Sequence, residues 1–187
     1  KPYQKPHPPI AMSIIKAESR GAFTAGERGY IPISANLVSP AVLKRQYEVY
    51  CEGAAKAGRP DPDRNEWRVA RSIMVADTDA EAWDFARGCY SRSYQYMTDI
   101  LKVGMVHDAM KIDEKMADDD INLSYVLEKL CIIGSVSTVV DRLRDVINIS
   151  GGFGHLLMIS QDSDGDERWW RCVELLATEV LPALSSG

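Results

Sequence analysis

Short apolar runs alternate with amphipathic stretches along this chain. Four runs have the length and composition of buried strands, at residues 9–13, 31–34, 67–75 and 155–159. Pro32 stands inside the second run, and because proline has no backbone donor we expect incomplete pairing there. The proline-rich residues 1–9 predict an extended lead-in to the first strand.

Stretches with helical spacing of apolar residues separate these runs. The first predicted helix covers 19–28, with Ser19 as its N-cap and Gly29 just after its last turn. The second begins with Ser39 as cap and Pro40 at the first helical position, and it ends at Gly58. The remaining predicted helices run from the Thr78–Glu81 capping box to about 103, over 121–131 with an acidic cap at 118–120, between 135 and 151, and over 167–184.

Strand and helix therefore alternate four times, with an irregular acidic excursion over 104–120 between the third and fourth strands. Such alternation is typical of a parallel sheet with right-handed crossovers. We predict an α/β fold in a single domain over 1–187, and four units are half the number that closes an eight-stranded barrel. Because a strand signal follows Lys1 so closely, the chain is interpreted as a fragment of a longer protein.

Composition and charge argue against several classes of protein and site. The net charge of −5 argues against a nucleic-acid-binding domain, and no apolar run is long enough to suggest a membrane span. Cys51, Cys89, Cys131 and Cys172 are scattered without a paired spacing, so neither a metal site nor a disulfide framework is expected. Buried, reduced thiols indicate a cytoplasmic protein.

A polar turn follows the first predicted strand. Ser13 ends that strand, and Glu18 and Ser19 immediately precede the first predicted helix. A helix N-terminus presents unpaired N–H groups and partial positive charge, which suit an anion such as a cofactor phosphate. The residues alone leave two interpretations of Ser19 open, a helix cap without a ligand and a cap that also binds an anion.

Several motifs of the chain occur together in one known family. They are AGERGYIPIS at 25–34, LKRQYEVY at 43–50, AGR at 57–59, VADT at 75–78 and GS at 134–135. In these motifs the chain resembles the bacterial luciferase-like flavin monooxygenases, and within them the limonene and diketocamphane monooxygenase branch. The resemblance extends over residues 8–184. It implies a (β/α)8 TIM barrel, of which this chain is the C-terminal half, strands five to eight.

The resemblance also implies a chemistry for the complete protein. Reduced FMN, supplied by a separate flavin reductase, would react with dioxygen and oxygenate a small hydrophobic substrate such as a terpene or cyclic ketone. In relatives, the missing first four strands carry much of the flavin-ring pocket and the best-known catalytic histidine. The catalytic residues are therefore unknown, and we expect this chain alone to be inactive.

The same resemblance assigns the phosphate side of the FMN site to the polar turn. The implied residues are Ser13, Glu18, Ser19, Arg20 and Gly21. Ser19 and the N–H groups of Arg20 and Gly21 would face the phosphate, with a charge-assisted bond from the Arg20 side chain. Ser13 would approach the ring or ribityl chain. Glu18 would repel the phosphate unless it turns away or pairs with Arg20 or Lys16.

The sequence also predicts a role for four other residues. The chain departs from the family pattern at 14–16, and the bulky Ile14 is expected to take space beside the flavin. Arg71, in the third strand, would either meet flavin or substrate or form a salt bridge. His107, in the excursion, would either belong to a substrate loop or be solvated. His155 begins the fourth strand, and because barrel chemistry lies at the strands' carboxyl ends it is expected to be structural.

Two other functions remain open at this level. One is a non-catalytic half-barrel, whose open edges and uncovered sheet face would drive association with itself or with a partner. The other is a relative that uses deazaflavin for hydride transfer. A homo-oligomer is expected for the monooxygenase as well.

Overall fold

The computed structural model describes residues 3–104, 107–159 and 166–185, and it contains six short strands in this part of the chain. They are β1 (Ala11–Ile14), β2 (Ile31–Ser34), β3 (Arg68–Arg71), β4 (Ile73–Ala76), β5 (Ile132–Ser135) and β6 (His155–Met158). One sheet has the order β1-β2-β3-β6, and all its neighbouring strands are parallel. The predicted α/β class with four adjacent parallel strands is therefore confirmed.

The third predicted strand, 67–75, is wrong as a single element. It breaks at Ser72, whose N–H donates to the Asn36 side-chain oxygen at 2.9 Å instead of to a neighbouring strand. Asn36 returns a bond from its amide nitrogen to the Ser72 hydroxyl at 2.6 Å. Beyond this break β4 pairs in parallel with β5, in a separate two-stranded sheet. A side chain 36 residues away thus divides one apolar run between two sheets.

Strand β5 was missed by the sequence analysis, which ended a helix at 131 and began another after 135. Its apolar residues Ile132 and Ile133 directly follow Leu130 and Cys131 of the predicted helix, so the sequence shows no separate strand signal. The structure places it between the third and fourth strands of the main sheet in the sequence, where β4 is available as a partner. The pairing, and not the local sequence, decides its conformation.

Helices cover one face of the main sheet and also occur between β4 and β6. They are α1 (Arg20–Arg28), α2 (Pro40–Lys56), α3 (Asp79–Gly104), α4 (His107–Met110), α5 (Leu123–Tyr125) continued by a π turn (Val126–Leu130), α6 (Val136–Ser150), α7 (Glu167–Leu175), a second π turn (Leu176–Val180) and α8 (Leu181–Ser185). Single 3-10 turns occur at Arg64–Glu66 and Asp118–Asp120. Among the residues described, no helix combines the length and the apolar character needed to cross a membrane.

Some helix ends follow the predicted chemistry and others depart from it. Gly29 adopts the left-handed conformation after α1, and Thr78 and Glu81 form the reciprocal capping box of α3. Ser39 precedes α2 as predicted, but its side chain makes no capping hydrogen bond. The cap of α5 is Asn122, which accepts from the Tyr125 N–H at 3.1 Å, and not the acidic cluster, which forms its own 3-10 turn.

The helix-facing side of the sheet carries the main core. Trp67 is fully buried, stacks on Tyr47 with ring centroids 4.9 Å apart, and donates from its indole nitrogen to the Ser34 hydroxyl at 2.9 Å. Pro32 and Ser34 are buried, whereas the alternate residues Ile31 and Ile33 of β2 are only partly buried. Because successive strand residues face opposite sides, Ile31 and Ile33 belong to the sheet face that the helices leave uncovered. Pairing of β2 with β3 is limited to two positions, as Pro32 predicted.

Helices α1 and α2 are in backbone contact. A Cβ atom at Gly26 would overlap the Tyr50 carbonyl oxygen, and a Cβ atom at Gly53 would overlap the Phe23 carbonyl oxygen. The two glycines thus allow the helix axes to approach more closely than side chains would permit. This contact sets the position of α2 against the N-terminal turn of α1.

Candidate functional site at the carboxyl edge of the sheet

The turn between β1 and α1 lies at the carboxyl edge of the parallel sheet. Because β1, β2, β3 and β6 run in the same direction, their C-terminal ends meet at one edge. Glu18 and Ser19 occupy this edge, as the parallel arrangement requires. Ligands in α/β proteins are typically bound there.

Ser19 caps α1 as predicted. Its backbone is extended, with φ −89° and ψ 117°, and its Oγ accepts a hydrogen bond from the Ala22 N–H at 3.2 Å. No acidic residue lies in the first turn of α1, so nothing in the helix itself competes with an incoming anion. A serine hydroxyl that accepts one bond can still donate its own proton. The cap is therefore compatible with an anion at the same helix end.

Gly21 keeps the approach to Ser19 open. A Cβ atom at this position would lie 3.3 Å from the Ser19 Oγ and 3.4 Å from the Met12 Sδ. The first of these distances is tighter than an ordinary van der Waals contact. Because residue 21 is glycine, no Cβ atom crowds the Ser19 hydroxyl.

Glu18 is held by Arg45 of α2. The Arg45 Nε and Nη2 atoms donate to the two carboxylate oxygens at 2.5 and 3.0 Å. These hydrogen bonds lower the pKa of Glu18 and raise that of Arg45, so the pair is charged at neutral pH. Arg45 also contacts Glu52 at 2.7 Å. Of the outcomes expected for Glu18, the partners Arg20 and Lys16 are wrong, because the α1–α2 packing brings Arg45 to the turn.

Ser13 and Ile14 lie on opposite sides of β1. Ser13 is exposed, and by strand alternation it belongs to the uncovered sheet face. Ile14 is 1% exposed and packs with Ala22 and Val49 between sheet and helices. The expectation that Ile14 takes space beside the flavin is therefore wrong, since its side chain points into the helix layer.

Arg71 does not form the salt bridge that was one of its two expected roles. It is 1% exposed, and its Nη1 donates to the Ala70 carbonyl oxygen at 2.9 Å. Its Nη2 has no hydrogen-bond partner among the described residues, nor does any described carboxylate pair with it. Burial lowers the pKa of Arg71 to about 10. Arg71 is therefore buried in the core, because its side chain lies on the helix-facing side of β3 together with that of Val69.

The buried cysteines Cys131 and Cys172 are not nucleophiles. Cys131 is fully buried, and burial raises the pKa of its thiol to about 12. Burial likewise raises the pKa of Cys172, whose sulfur accepts from the Val75 N–H at 3.3 Å. Protonated thiols inside a core pack as small apolar side chains.

The three histidines lie apart from the β1–α1 turn. His7 is exposed in the lead-in, and His155 begins β6 at the amino edge of the sheet, the position that the sequence predicted. His107 begins α4 in the excursion, and its Nδ1 lies 3.6 Å from an Asp118 carboxylate oxygen. Glu18, Ser19, Arg20 and Gly21 therefore share one turn, whereas Ser13 precedes it in β1. None of the three histidines lies in this turn.

Comparison with known proteins agrees with the α/β fold and its parallel strands. The family model described as luciferase-like monooxygenase matches residues 1–151. The chain belongs to this family. Its fold is accordingly half of a luciferase-like TIM barrel, with strands β1, β2, β3 and β6 as consecutive barrel strands.

Curated relatives include two enzymes of Pseudomonas putida. The chain is 30% identical to 3,6-diketocamphane 1,6-monooxygenase, covering 95% of this chain and 47% of that protein. It is 31% identical to 2,5-diketocamphane 1,2-monooxygenase 1, covering 95% of this chain and 50% of that protein. The chain thus spans about half the length of the curated relatives it matches.

One similar solved structure contains the cofactor of its enzyme. It is the oxygenating constituent of 3,6-diketocamphane monooxygenase from Pseudomonas putida, a type II Baeyer-Villiger monooxygenase in complex with FMN. It superposes with a TM-score of 0.84 at 30% identity, over 94% of this chain and 48% of that one. The half-length coverage recurs, so the chain corresponds to one half of that luciferase-like barrel.

Arg45 is the site residue that sequence analysis missed. It lies 27 positions from Glu18, inside a helix whose visible signals were its cap and its apolar stripe. The available signal was its surroundings, because Glu48 and Glu52 follow it at helical spacing and mark a charged face of α2. That face identifies a charge cluster but not its contact with the turn.

Proposed function

We propose that the N-terminus of α1 binds the phosphate of FMN in a flavin-dependent monooxygenase of which this chain is part. The observation that carries the proposal is the unblocked helix end, with Gly21 leaving space and Arg45 neutralising Glu18. The proposed reaction is oxygenation of a small hydrophobic substrate, such as a cyclic ketone, by dioxygen. Relatives named as monooxygenases and a relative bound to FMN support it.

In this proposal each residue of the turn has its own role in binding the cofactor. The amides of Arg20 and Gly21 and the Ser19 hydroxyl donate to the phosphate, and the exposed Arg20 side chain adds charge. Ser13, on the uncovered sheet face, contacts the remainder of the cofactor. When bound and reduced, FMN supplies the electrons that activate dioxygen, and a separate flavin reductase supplies the reduced form.

The uncovered sheet face contributes an apolar wall. Ile31 and Ile33 of β2 and Leu157 of β6 alternate with residues that face the helices. An apolar wall beside the cofactor excludes water and accommodates a hydrophobic substrate. In this proposal the chain binds the cofactor phosphate and shields the cofactor from water. The groups that complete the pocket belong to the other half of the barrel.

Ser19→Asp tests the phosphate site without removing the helix cap. Aspartate is as good an N-cap as serine, so α1 should remain folded, but its carboxylate repels a phosphate. We expect FMN affinity to fall at least about tenfold, with riboflavin affinity unchanged because riboflavin lacks the phosphate. Titration of both flavins, followed by fluorescence quenching, measures the change.

Ser19→Thr is the matched control, since it keeps both the cap and the hydroxyl. It should bind FMN within about threefold of the parent chain. Equal loss of FMN and riboflavin in Ser19→Asp would mean a general disturbance of the fold. No preference of the parent chain for FMN over riboflavin would refute the phosphate site.

The same uncovered face predicts self-association of the chain. Apolar strand positions without a covering layer favour contact with a second apolar surface. We expect the chain to sediment as a dimer or larger species, and Ile33→Lys to shift it toward the monomer. A parent chain that sediments as a monomer at tens of micromolar would argue against the proposed homo-oligomer.

A further inference from the structure

The main sheet ends in two strands that each have only one neighbour. In the order β1-β2-β3-β6 the outer strands are β1 and β6, and both run parallel to the strands between them. Within residues 3–104, 107–159 and 166–185, no further strand pairs with their outer edges. Open edges beside an apolar face favour contact with another sheet. The covering layer therefore has to provide strand edges as well as an apolar surface.

The backbone of β1 presents hydrogen-bonding groups to its outer side. The carbonyl oxygens of Ile10 and Ile14 accept from the N–H groups of Ile31 and Ala35, on the β2 side. Because the backbone groups of successive strand residues point to opposite sides of the strand, those of Ala11 point away from β2. These groups are available to a further parallel strand.

One row of the uncovered face crosses all four strands. Ser13 is aligned with Ile33, Ile33 with Arg68, and Arg68 with His155. Side chains in one row of a parallel sheet share a face, so the partly buried Arg68 belongs to the uncovered face together with Ile33. A guanidinium group therefore lies near the middle of a face that is otherwise largely apolar.

A cavity of about 390 Å³ lies at the amino edge of the same face. Its lining includes the guanidinium groups of Arg28 and Arg68 and the carboxylates of Asp63 and Glu66. None of these four groups forms an ion pair with a described residue, although they share one cavity. Water solvates them in the single chain, but a covering layer would remove that water, and each charge would then need a partner of opposite sign.

This balance of charges indicates a second copy of the chain as the covering layer. In a contact with two-fold symmetry the same surface meets itself, so a charged contact needs both signs on that surface. Two guanidinium groups and two carboxylates meet this condition. A face that fits a purely acidic or purely basic partner would carry charges of one sign. The uncovered face is therefore complementary in charge to itself.

We infer that two copies of the chain close one eight-stranded barrel, which rests on the self-association proposed above. The two-fold axis runs along the barrel, and β6 of each copy pairs with β1 of the other. Four parallel strands from each copy give the eight that close a barrel. Both uncovered faces then point inward, and the amino edges of the two sheets meet at the same end. Arg68 of each copy faces Glu66 of the partner copy across the barrel.

Charge reversal tests the pairing of Arg68 with Glu66 by sedimentation equilibrium. Arg68→Glu makes the face acidic in both copies and Glu66→Arg makes it basic, so each variant alone should raise the dimer dissociation constant at least about tenfold. An equimolar mixture of the two should form a heterodimer within about threefold of the parent affinity, because each reversed charge meets its opposite. Lys44→Glu, an equal change of net charge on the exposed side of α2, is the matched control and should leave the constant unchanged.

Ala11→Pro tests the strand edge independently of the charges. Proline has no N–H, and at this position the lost donor points to the outer side, so β1 should still pair with β2. We expect the dimer dissociation constant to rise at least about tenfold. Ala11→Val keeps the N–H and should stay within about threefold of the parent chain. Circular dichroism and urea denaturation of each variant verify that the fold is retained.

The possible results separate the closed barrel from the other proposals. A parent chain that sediments as a monomer would refute both the self-association and the barrel. A dimer that Ile33→Lys dissociates but Ala11→Pro leaves intact would retain the self-association and overturn the barrel. Unchanged affinity of Glu66→Arg, or a mixture no tighter than the single variants, would overturn the charge pairing. Because Glu66 is exposed, its variant decides this point even if Arg68→Glu does not fold. The FMN-to-riboflavin preference, measured separately, bears on the phosphate site alone.

Discussion

Replacing Gly53 with alanine is expected to destabilise the fold by roughly 3 kcal/mol or more. The added methyl would overlap the Phe23 carbonyl oxygen, which belongs to the backbone of α1 and cannot move aside as a side chain could. Helices α1 and α2 would have to separate, and the buried contacts of Ala22 and Val49 between them would be lost. Urea denaturation followed by circular dichroism gives the change in free energy of unfolding.

Gly88→Ala is the matched control. Gly88 lies on the exposed side of α3, and a Cβ atom there meets nothing within 4 Å. Because alanine favours the helix over glycine, we expect a gain of about 0.5–1 kcal/mol. Gly26→Ala should resemble Gly53→Ala, and the double variant should lose less than the sum, since both substitutions open the same contact. Similar stability of the Gly53 and Gly88 variants would disprove the close helix contact.

Replacing Arg45 with methionine is expected to weaken FMN binding about tenfold. The substitution releases the Glu18 carboxylate from its two hydrogen bonds and leaves an uncompensated negative charge beside the phosphate turn. Methionine keeps most of the aliphatic volume of arginine, so the packing of α2 should persist. Flavin titration at low ionic strength measures the effect, which salt should diminish.

Glu18→Gln in the same chain provides the decisive comparison. If the freed carboxylate causes the loss, the Arg45→Met/Glu18→Gln double variant should recover FMN affinity to within about threefold of the parent. Riboflavin affinity should be the same in all four proteins. A double variant as weak as Arg45→Met would instead assign the loss to the missing guanidinium, and an unaffected Arg45→Met would show that Glu18 does not influence the site.

The family relationship places the features described above in one half of a barrel. The chain belongs to the luciferase-like monooxygenases, matches about half of its relatives, and forms four parallel barrel strands with a turn at their carboxyl edge. In such a half-barrel one sheet face is covered by helices and the other is not. The proposed cofactor, the apolar wall and the proposed self-association all depend on that second face.

The local signals in the sequence were sufficient to predict the helix ends that have capping residues. Ser19 and Gly29 bound α1, and Thr78 and Glu81 begin α3, because capping groups act within four residues. The order of strands and helices was sufficient to predict the parallel fold, because few other topologies are compatible with alternating strand–helix units. The motifs at 25–34 and 43–50 were sufficient for the family.

Contacts between distant residues decided the rest. Asn36 breaks the third predicted strand at Ser72, and β4 gives β5 its conformation, although neither effect has a local signature. The glycines at 26 and 53 bring α2 to the turn, and this packing delivers Arg45 to Glu18. The sequence by itself therefore determined which segments form and in what order. Only the tertiary structure determined which charges and which helix ends meet, because that depends on how closely two backbones approach.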